Sequence, residues 1–285
     1  MYEVVTRLAV VVTVLLVVGV LTIVGLDRLW QFRDSWRERV LVGGPALLLL
    51  LAVLAANSVA RQAVPDISWV LESQGLAYEI TDTLYQIEGS FVVHLQSLER
   101  TALTRYFSWV YVYGYVFLLV FPVVAYAMLD QLDSFRGLVW AYLFNYALGL
   151  FCYTVFIAYG PRNMLPDLAQ PLLYDPTPEY QLLTREVNHH TNVFPSLHTS
   201  LSVTVLAFAY RTREAYPKWL AIAGVLSVSV LVSTMYLAIH WATDVLAGIV
   251  LAWVSIRLAD VVVEQGGQRL RSRLRSLGRT DGTGQ

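Results

Sequence analysis

His240 and Asp244 stand four residues apart in Tyr236-Leu-Ala-Ile-His240-Trp-Ala-Thr-Asp244, which places them on one helix face. An aspartate beside an imidazole accepts the N–H of one ring nitrogen. That fixes the tautomer and leaves the other nitrogen free and more basic. The pair is the nucleophile-and-orienter half of a catalytic triad. Two other readings stay open on the pair alone: a satisfied His–Asp pair at a membrane interface, and two zinc ligands with His198 as a third. His198 closes a second group, Phe194-Pro195-Ser196-Leu197-His198. Pro195 suits the first turn of a helix because it lacks the N–H that goes unpaired there. A helix start carries free backbone N–H groups and a positive dipole end. A second helix start near His240, together with the Ser196 hydroxyl, favours an anion. Arg162, in Tyr159-Gly-Pro-Arg162-Asn163, is by type a bidentate phosphate binder. Taken singly it reads as a surface arginine at the headgroup level.

The elements that carry these residues follow from composition. Of 285 residues, 56% are hydrophobic and 14% charged, whereas soluble domains are about 25% charged. This excludes a disordered chain and argues against a soluble globule. A net charge of −1 gives no overall basic character for nucleic acid, and the single cysteine, Cys152, forms no internal disulfide. Seven stretches approach the length of about 20 apolar residues that a span needs: 8–26, 40–60, 107–129, 138–158, 196–211, 217–236 and 238–260. The first exceeds a signal-peptide core of about 7–15 residues and lacks an A-x-A site, so it reads as a retained anchor. With the amino terminus outside, 14 of the 20 basic residues fall on the inner side. The positive-inside rule favours that orientation and a cytoplasmic C-terminus.

The chain divides into an N-terminal anchor and basic inner loop (1–39), a catalytic membrane domain (40–262) and a flexible cytoplasmic tail (263–285). Two outer segments are long. In 61–106, Leu76, Ile80, Leu84, Ile87, Phe91, Leu95 and Leu98 recur at steps of three and four. They predict a helix, or two broken near Gly89, that lies on the outer surface or caps the bundle. The segment 159–195 is too polar to span.

The whole constellation suits a phosphoryl group at the outer headgroup plane. His240 attacks phosphorus, His198 protonates the departing oxygen, and water or an alcohol resolves the phosphohistidine. Arg162 and the helix ends stabilise charge on the equatorial oxygens. Non-enzymatic polytopic proteins are the competing class. The only lysine, Lys218, lies at the edge of span six, which excludes a retinal Schiff base. A haem protein would use His198 and His240 as axial ligands. A transporter would want polar residues deep in several spans, and Asn145 stands almost alone.

These motifs resemble the type 2 phosphatidic acid phosphatase superfamily, and most closely its inositol phosphorylceramide synthase-like branch. Pro195-Ser196-Leu197-His198 is similar to the family's Pro-Ser-Gly-His, with Leu for Gly. Ser233-Thr234-x5-His240-x3-Asp244 is similar to Ser-Arg-x5-His-x3-Asp, with Thr for Arg. Arg162 is followed by Asn163 where the family has proline, and Val155 stands in place of its lysine. The likeness covers about 138–262 and, more loosely, 40–137. It implies an all-α polytopic membrane bundle with a six-helix core, the first helix being an addition. It implies His240 as nucleophile, His198 as general acid, Asp244 as orienter, Arg162 and Ser196 as phosphate binders, and no metal or other cofactor. With the Thr234 and Val155 cations missing, His190, with His189 and Asn192, is the candidate for further phosphate contacts. The implied partners are membrane lipid and a lipid phosphate or polyprenyl phosphate substrate, with a lean toward phosphodiester or pyrophosphate donors.

Overall fold

The computed structural model describes residues 2–72, 76–174, 180 and 193–280, apart from the side chains of some helical positions. His189, His190 and Asn192 lie outside these residues. Every regular element described is helical. α1 (Tyr2–Gly19) runs through a π-helical turn (Val20–Val24) to Gly25, whose φ of 86° turns the chain into α2 (Leu26–Glu72). α3 (Leu76–Glu88) and α4 (Phe91–Gln96) follow, broken at Gly89 with φ 63°. α5 (Thr101–Trp109), a second π-helical turn (Val110–Gly114) and α6 (Tyr115–Ala127) form one continuous rod. Then come α7 (Asp133–Val155), the short α8 (Pro161–Met164), α9 (Leu197–Arg211), α10 (Pro217–Tyr236) and α11 (Ala242–Thr280).

Among the described residues, five helical segments are long and apolar enough to cross a membrane: Glu3–Val24, Thr101–Ala127, Asp133–Val155, Pro217–Tyr236 and Ala242–Gly266. The protein is an integral membrane helix bundle. The other two sequence stretches are helical but shorter by this measure. Leu47–Ala56 is the apolar part of α2. α9 has 15 residues, about 22 Å at 1.5 Å each, short of a ~30 Å hydrocarbon core. Its shortness has a physical reason. α9 packs on α6, α7, α10 and α11 and buries Thr199, Ser200, Ser202 and Thr204, so it faces protein along its length.

Asn145, the lone polar residue of its span, belongs to that packing. Its amide donates to Thr204 Oγ1 at 3.1 Å and to the Ala141 carbonyl at 2.7 Å, and the Ser200 hydroxyl donates to its Oδ1. It is a satisfied rung between α7 and α9.

Three expectations change. The basic segment 28–39 is not a loop; it forms the first turns of the 47-residue α2, because four of its residues are arginine, a good helix former, and it contains no glycine or proline. The helix α11 runs past Gly266 to Thr280, so the Arg- and Leu-rich segment read as a tail continues the last helix. The break near Gly89 is where the sequence places it, but the expected face packs only in part. Leu84 is buried and Ile80 and Leu95 pack against the core, whereas Ile87, Phe91 and Leu98 are exposed and Ala77, Thr81, Val92 and Gln96 are buried. Hydrogen bonds set this choice. Thr81 Oγ1 accepts from Tyr159 N, and Gln96 donates to the carbonyls of Gln170 and Tyr236. α3 and α4 therefore form a cap on one end of the bundle.

The opposite end gathers cations and aromatic rings. Arg28 lies 4.7 Å over the Tyr216 ring, and Arg39 donates to the carbonyls of Ala127 and Leu129. Arg211 makes a bidentate pair with Asp260, and Lys218 donates to the Thr22 carbonyl. Trp219 and Thr212 both donate to the Tyr126 hydroxyl.

Candidate active site

α10 ends at Tyr236 and α11 begins at Ala242, so a five-residue turn carries His240. The Thr234 carbonyl accepts the N–H groups of both Ile239 and His240, at 3.0 and 3.1 Å. The Thr234 side chain turns back to the Leu231 carbonyl at 2.8 Å. It pins the histidine's backbone and supplies no cation. Ala238 takes φ 51°, a left-handed conformation that is costly for alanine and tightens the turn.

One turn of chain then sets the orienter. His240 Nδ1 lies 3.4 Å from Asp244 Oδ2, and the same oxygen accepts Trp241 N–H at 2.8 Å. Both side chains are buried, at 4% and 0% exposure. Asp244 Oδ1 is buried without a partner among the described residues. With Nδ1 facing the carboxylate, the other ring nitrogen, Nε2, is left to act.

α9 starts beside this turn. Ser196 caps it: Oγ accepts from Thr199 N at 3.3 Å, and Ser196 N donates to the Asp244 carbonyl at 3.0 Å. The two helix starts are thus bonded backbone to backbone. Gly248 permits it, since a Cβ there would stand 2.5 Å from the Ser196 carbonyl oxygen. The hydroxyl of Ser196 keeps its own proton to donate. His198, in the first turn of α9, comes to a ring-centroid distance of 6.2 Å from His240, with the planes at 58°. Two imidazoles that each bond one phosphate at about 3 Å need a spacing of this order.

The segment 159–174, a strap that includes α8, fastens onto the same turn. Arg162 N donates to the Ala238 carbonyl at 3.2 Å, and Trp241 Nε1 donates to the Tyr159 carbonyl at 2.8 Å. A Cβ on Gly160 would lie 2.5 Å from the Ile239 carbonyl oxygen, so only glycine fits this crossing. The Arg162 guanidinium lies 5.4 Å over the Tyr174 ring, and its buried Nη1 has no hydrogen-bond partner among the described residues.

The sequence-predicted His198, Ser196, Arg162, His240 and Asp244 therefore meet at one end of the bundle. The helix start of α11 is arranged differently from the expectation. Its Thr243 N–H is taken by Glu88 Oε2 at 3.1 Å, so this start faces a carboxylate of the cap. Among the described residues no group of three His, Cys, Asp or Glu side chains is arranged to hold a metal ion.

Sequence reasoning missed three residues here. Tyr111 stacks on the His198 ring at 4.6 Å and 24°, and Tyr115 packs on it at 4.4 Å and 40°. Tyr111 lies inside the π-helical turn Val110–Gly114 and Tyr115 directly follows it. The Tyr-Val-Tyr-Gly-Tyr run was the available signal. Glu88 is the third, and its signal was a carboxylate beside the helix-breaking Gly89.

The family model of the PAP2 superfamily matches residues 83–258, more than half of the chain and all of the site described above. The chain belongs to the PAP2 superfamily. No curated protein and no solved structure matches it. The matched region begins inside α3, so α1 and α2 lie outside it. Membership of the PAP2 superfamily and the apolar helices together make this a membrane protein of the phosphatase type.

Proposed function

We propose that the protein is a lipid-phosphate phosphatase or phosphotransferase that works at the outer membrane face through a phosphohistidine on His240. The observation that carries this reading is the pairing of His198 and His240 at 6.2 Å with Asp244 behind the His240 ring. His240 Nε2 attacks phosphorus, and the bond to the leaving oxygen breaks as His198 protonates that oxygen. Asp244 holds the ring and stabilises its positive charge. Water or an alcohol then attacks the phosphohistidine, gives its proton to His198, and restores the free imidazole. Arg162, whose Nη1 has no partner among the described residues, and the start of α9 serve the equatorial oxygens.

The substrate is a lipid or polyprenyl phosphate whose headgroup reaches this end while its tail stays among the lipids. Leu197 and Thr234 favour the inositol phosphorylceramide synthase-like branch, in which an alcohol takes the phosphoryl group. The excess of basic residues on the other side supports the outward orientation.

A panel of phosphatidate, polyprenyl phosphates and phosphatidylinositol tests the reading, with phosphate release and transfer to an added alcohol measured in parallel. His240→Ala is expected to lose turnover and any acid-labile phosphoprotein. Asp244→Asn is expected to slow both and leave residual activity. Wild-type turnover by His240→Ala would refute the mechanism.

A further inference from the structure

We propose that Glu88 is a positioning residue for this reaction: the cap uses it to complete the first turn of the helix that holds Asp244. The inference rests on the phosphohistidine reading above and adds a residue outside its motifs. A helix start is usually closed by a Ser, Thr, Asp or Asn oxygen that accepts an N–H of the first turn. The residue before α11 is Trp241, which has no such oxygen, and its indole N–H is engaged by the Tyr159 carbonyl. Asp244, three residues on, reaches back to Trp241 N–H, which is one half of a capping box. The reciprocal acceptor comes from 155 residues away: Glu88 Oε2 takes Thr243 N–H at 3.1 Å and approaches Thr243 Oγ1 at 3.4 Å.

Glu88 is the last residue of α3, and α3 is itself fastened to the site. Thr81 accepts from Tyr159 N–H, and the Tyr85 and Trp241 rings lie 6.1 Å apart. Thr243 directly precedes Asp244, so the grip on its backbone sets where the Asp244 carboxylate stands. That placement has little slack. The His240–Asp244 separation of 3.4 Å lies beyond the usual range of about 2.7–3.2 Å for N–H···O, so a few tenths of an ångström decide whether the bond orients the ring. Without Glu88, the first turn of α11 frays and His240 loses its fixed tautomer.

The test separates reach from charge. Gln at 88 keeps an acceptor oxygen at the same distance; Asp keeps the charge but is one methylene short. Full-length Glu88→Gln, Glu88→Asp and Glu88→Ala are compared with wild type in single turnovers of radiolabelled dioctanoyl phosphatidate and dioctanoyl phosphatidylinositol. Phosphoenzyme formation per folded protein is the readout. Glu88→Gln is expected within about twofold of wild type, and Glu88→Asp and Glu88→Ala down about 10- to 100-fold with apparent affinity unchanged. If the loss runs through Asp244, Glu88→Ala adds less than about twofold in an Asp244→Asn background. Equal multiplicative losses in both backgrounds, or a fast Asp variant with a slow Gln variant, would overturn the proposal. Should Glu88→Ala fail to fold, the Gln and Asp variants still decide it. A wild-type chain that forms no phosphoenzyme on either probe overturns the underlying reaction, whereas a wild-type phosphoenzyme with indifferent Glu88 variants overturns this inference alone.

Discussion

Gly248→Ala offers a direct test of whether the bond between the two helix starts matters for catalysis. The added Cβ would stand 2.5 Å from the Ser196 carbonyl oxygen and 3.0 Å from Thr199 Cβ, both on the first turn of α9. The nearest obstacle is backbone, so no side chain can rotate away. Restoring a separation of 3.0–3.4 Å moves the α9 start by about 0.5–0.9 Å. Overpacking of this kind costs about 1–3 kcal/mol. Alanine returns about 1 kcal/mol over glycine in a helix interior, so the net loss of stability is about 0–2 kcal/mol. The protein stays folded. His198 is two residues from Ser196 and moves with it, away from the geometry it shares with His240. A displacement near 1 Å at reacting groups costs about 100-fold, so turnover should fall about 10- to 100-fold. Phosphate release by purified protein, set beside its thermal unfolding, reads both quantities. Gly224→Ala is the control: its nearest neighbour would be Leu206 Cδ1 at 4.0 Å, so it should stabilise α10 slightly and leave turnover unchanged. A Gly248→Ala protein with turnover within twofold of wild type would refute the reasoning.

Two further predictions concern the rings at His198 and the side of the membrane on which the site lies. Tyr111→Phe and Tyr115→Phe keep the faces packed on His198 and should stay within about twofold of wild type, while either leucine variant should fall about tenfold; equal damage by Phe and Leu would assign the effect to the hydroxyls instead. In a Cys152→Ala background, Leu168→Cys, on the exposed part of the strap, should react with an impermeant maleimide on intact cells. Arg213→Cys, at the opposite end, should react only after permeabilisation. The reverse pattern would turn the protein over in the membrane.

Much of the site was legible because its parts are local. His240 and Asp244 announce themselves by a spacing of four, and Ser196 by the proline before it, since turn geometry and capping act within a few residues; the helix face expected to carry both is not formed, because His240 stands in the turn before α11 and only Asp244 is helical. Helical class was legible for the same reason, and two of the seven predicted spans hold to within a residue: α10 occupies 217–236 and α9 196–211, whereas the boundaries of the other five shift by several residues or more. The packed face of α3 and α4 was legible only in part. Periodicity picked out Leu84, which is buried, but also Ile87, Phe91 and Leu98, which are exposed; the face is fixed by hydrogen bonds, Thr81 Oγ1 accepting from Tyr159 N–H and Gln96 donating to the Gln170 and Tyr236 carbonyls. Those partners are 74 to 140 residues distant, and no local pattern encodes them.

The same distinction bears on the choice between water and alcohol. In the proposed reaction, His198, His240 and Asp244 serve either acceptor, because both attack the same phosphohistidine. Within the motifs only Leu197 and Thr234 lean toward an alcohol, and neither supplies a group that would hold one. What differs is the access that the rest of the chain allows, and here the cap and the strap 159–174 close over the site through contacts with Thr243, Trp241 and Ala238. Loosening these contacts would admit water, whereas an alcohol held in place must be recognised by the groups they present. On the proposed reaction, long-range packing decides the acceptor, and the ratio of transfer to hydrolysis should respond to cap residues such as Glu88 more than to Ser196 or Arg162, the proposed binders of the phosphoryl group common to both.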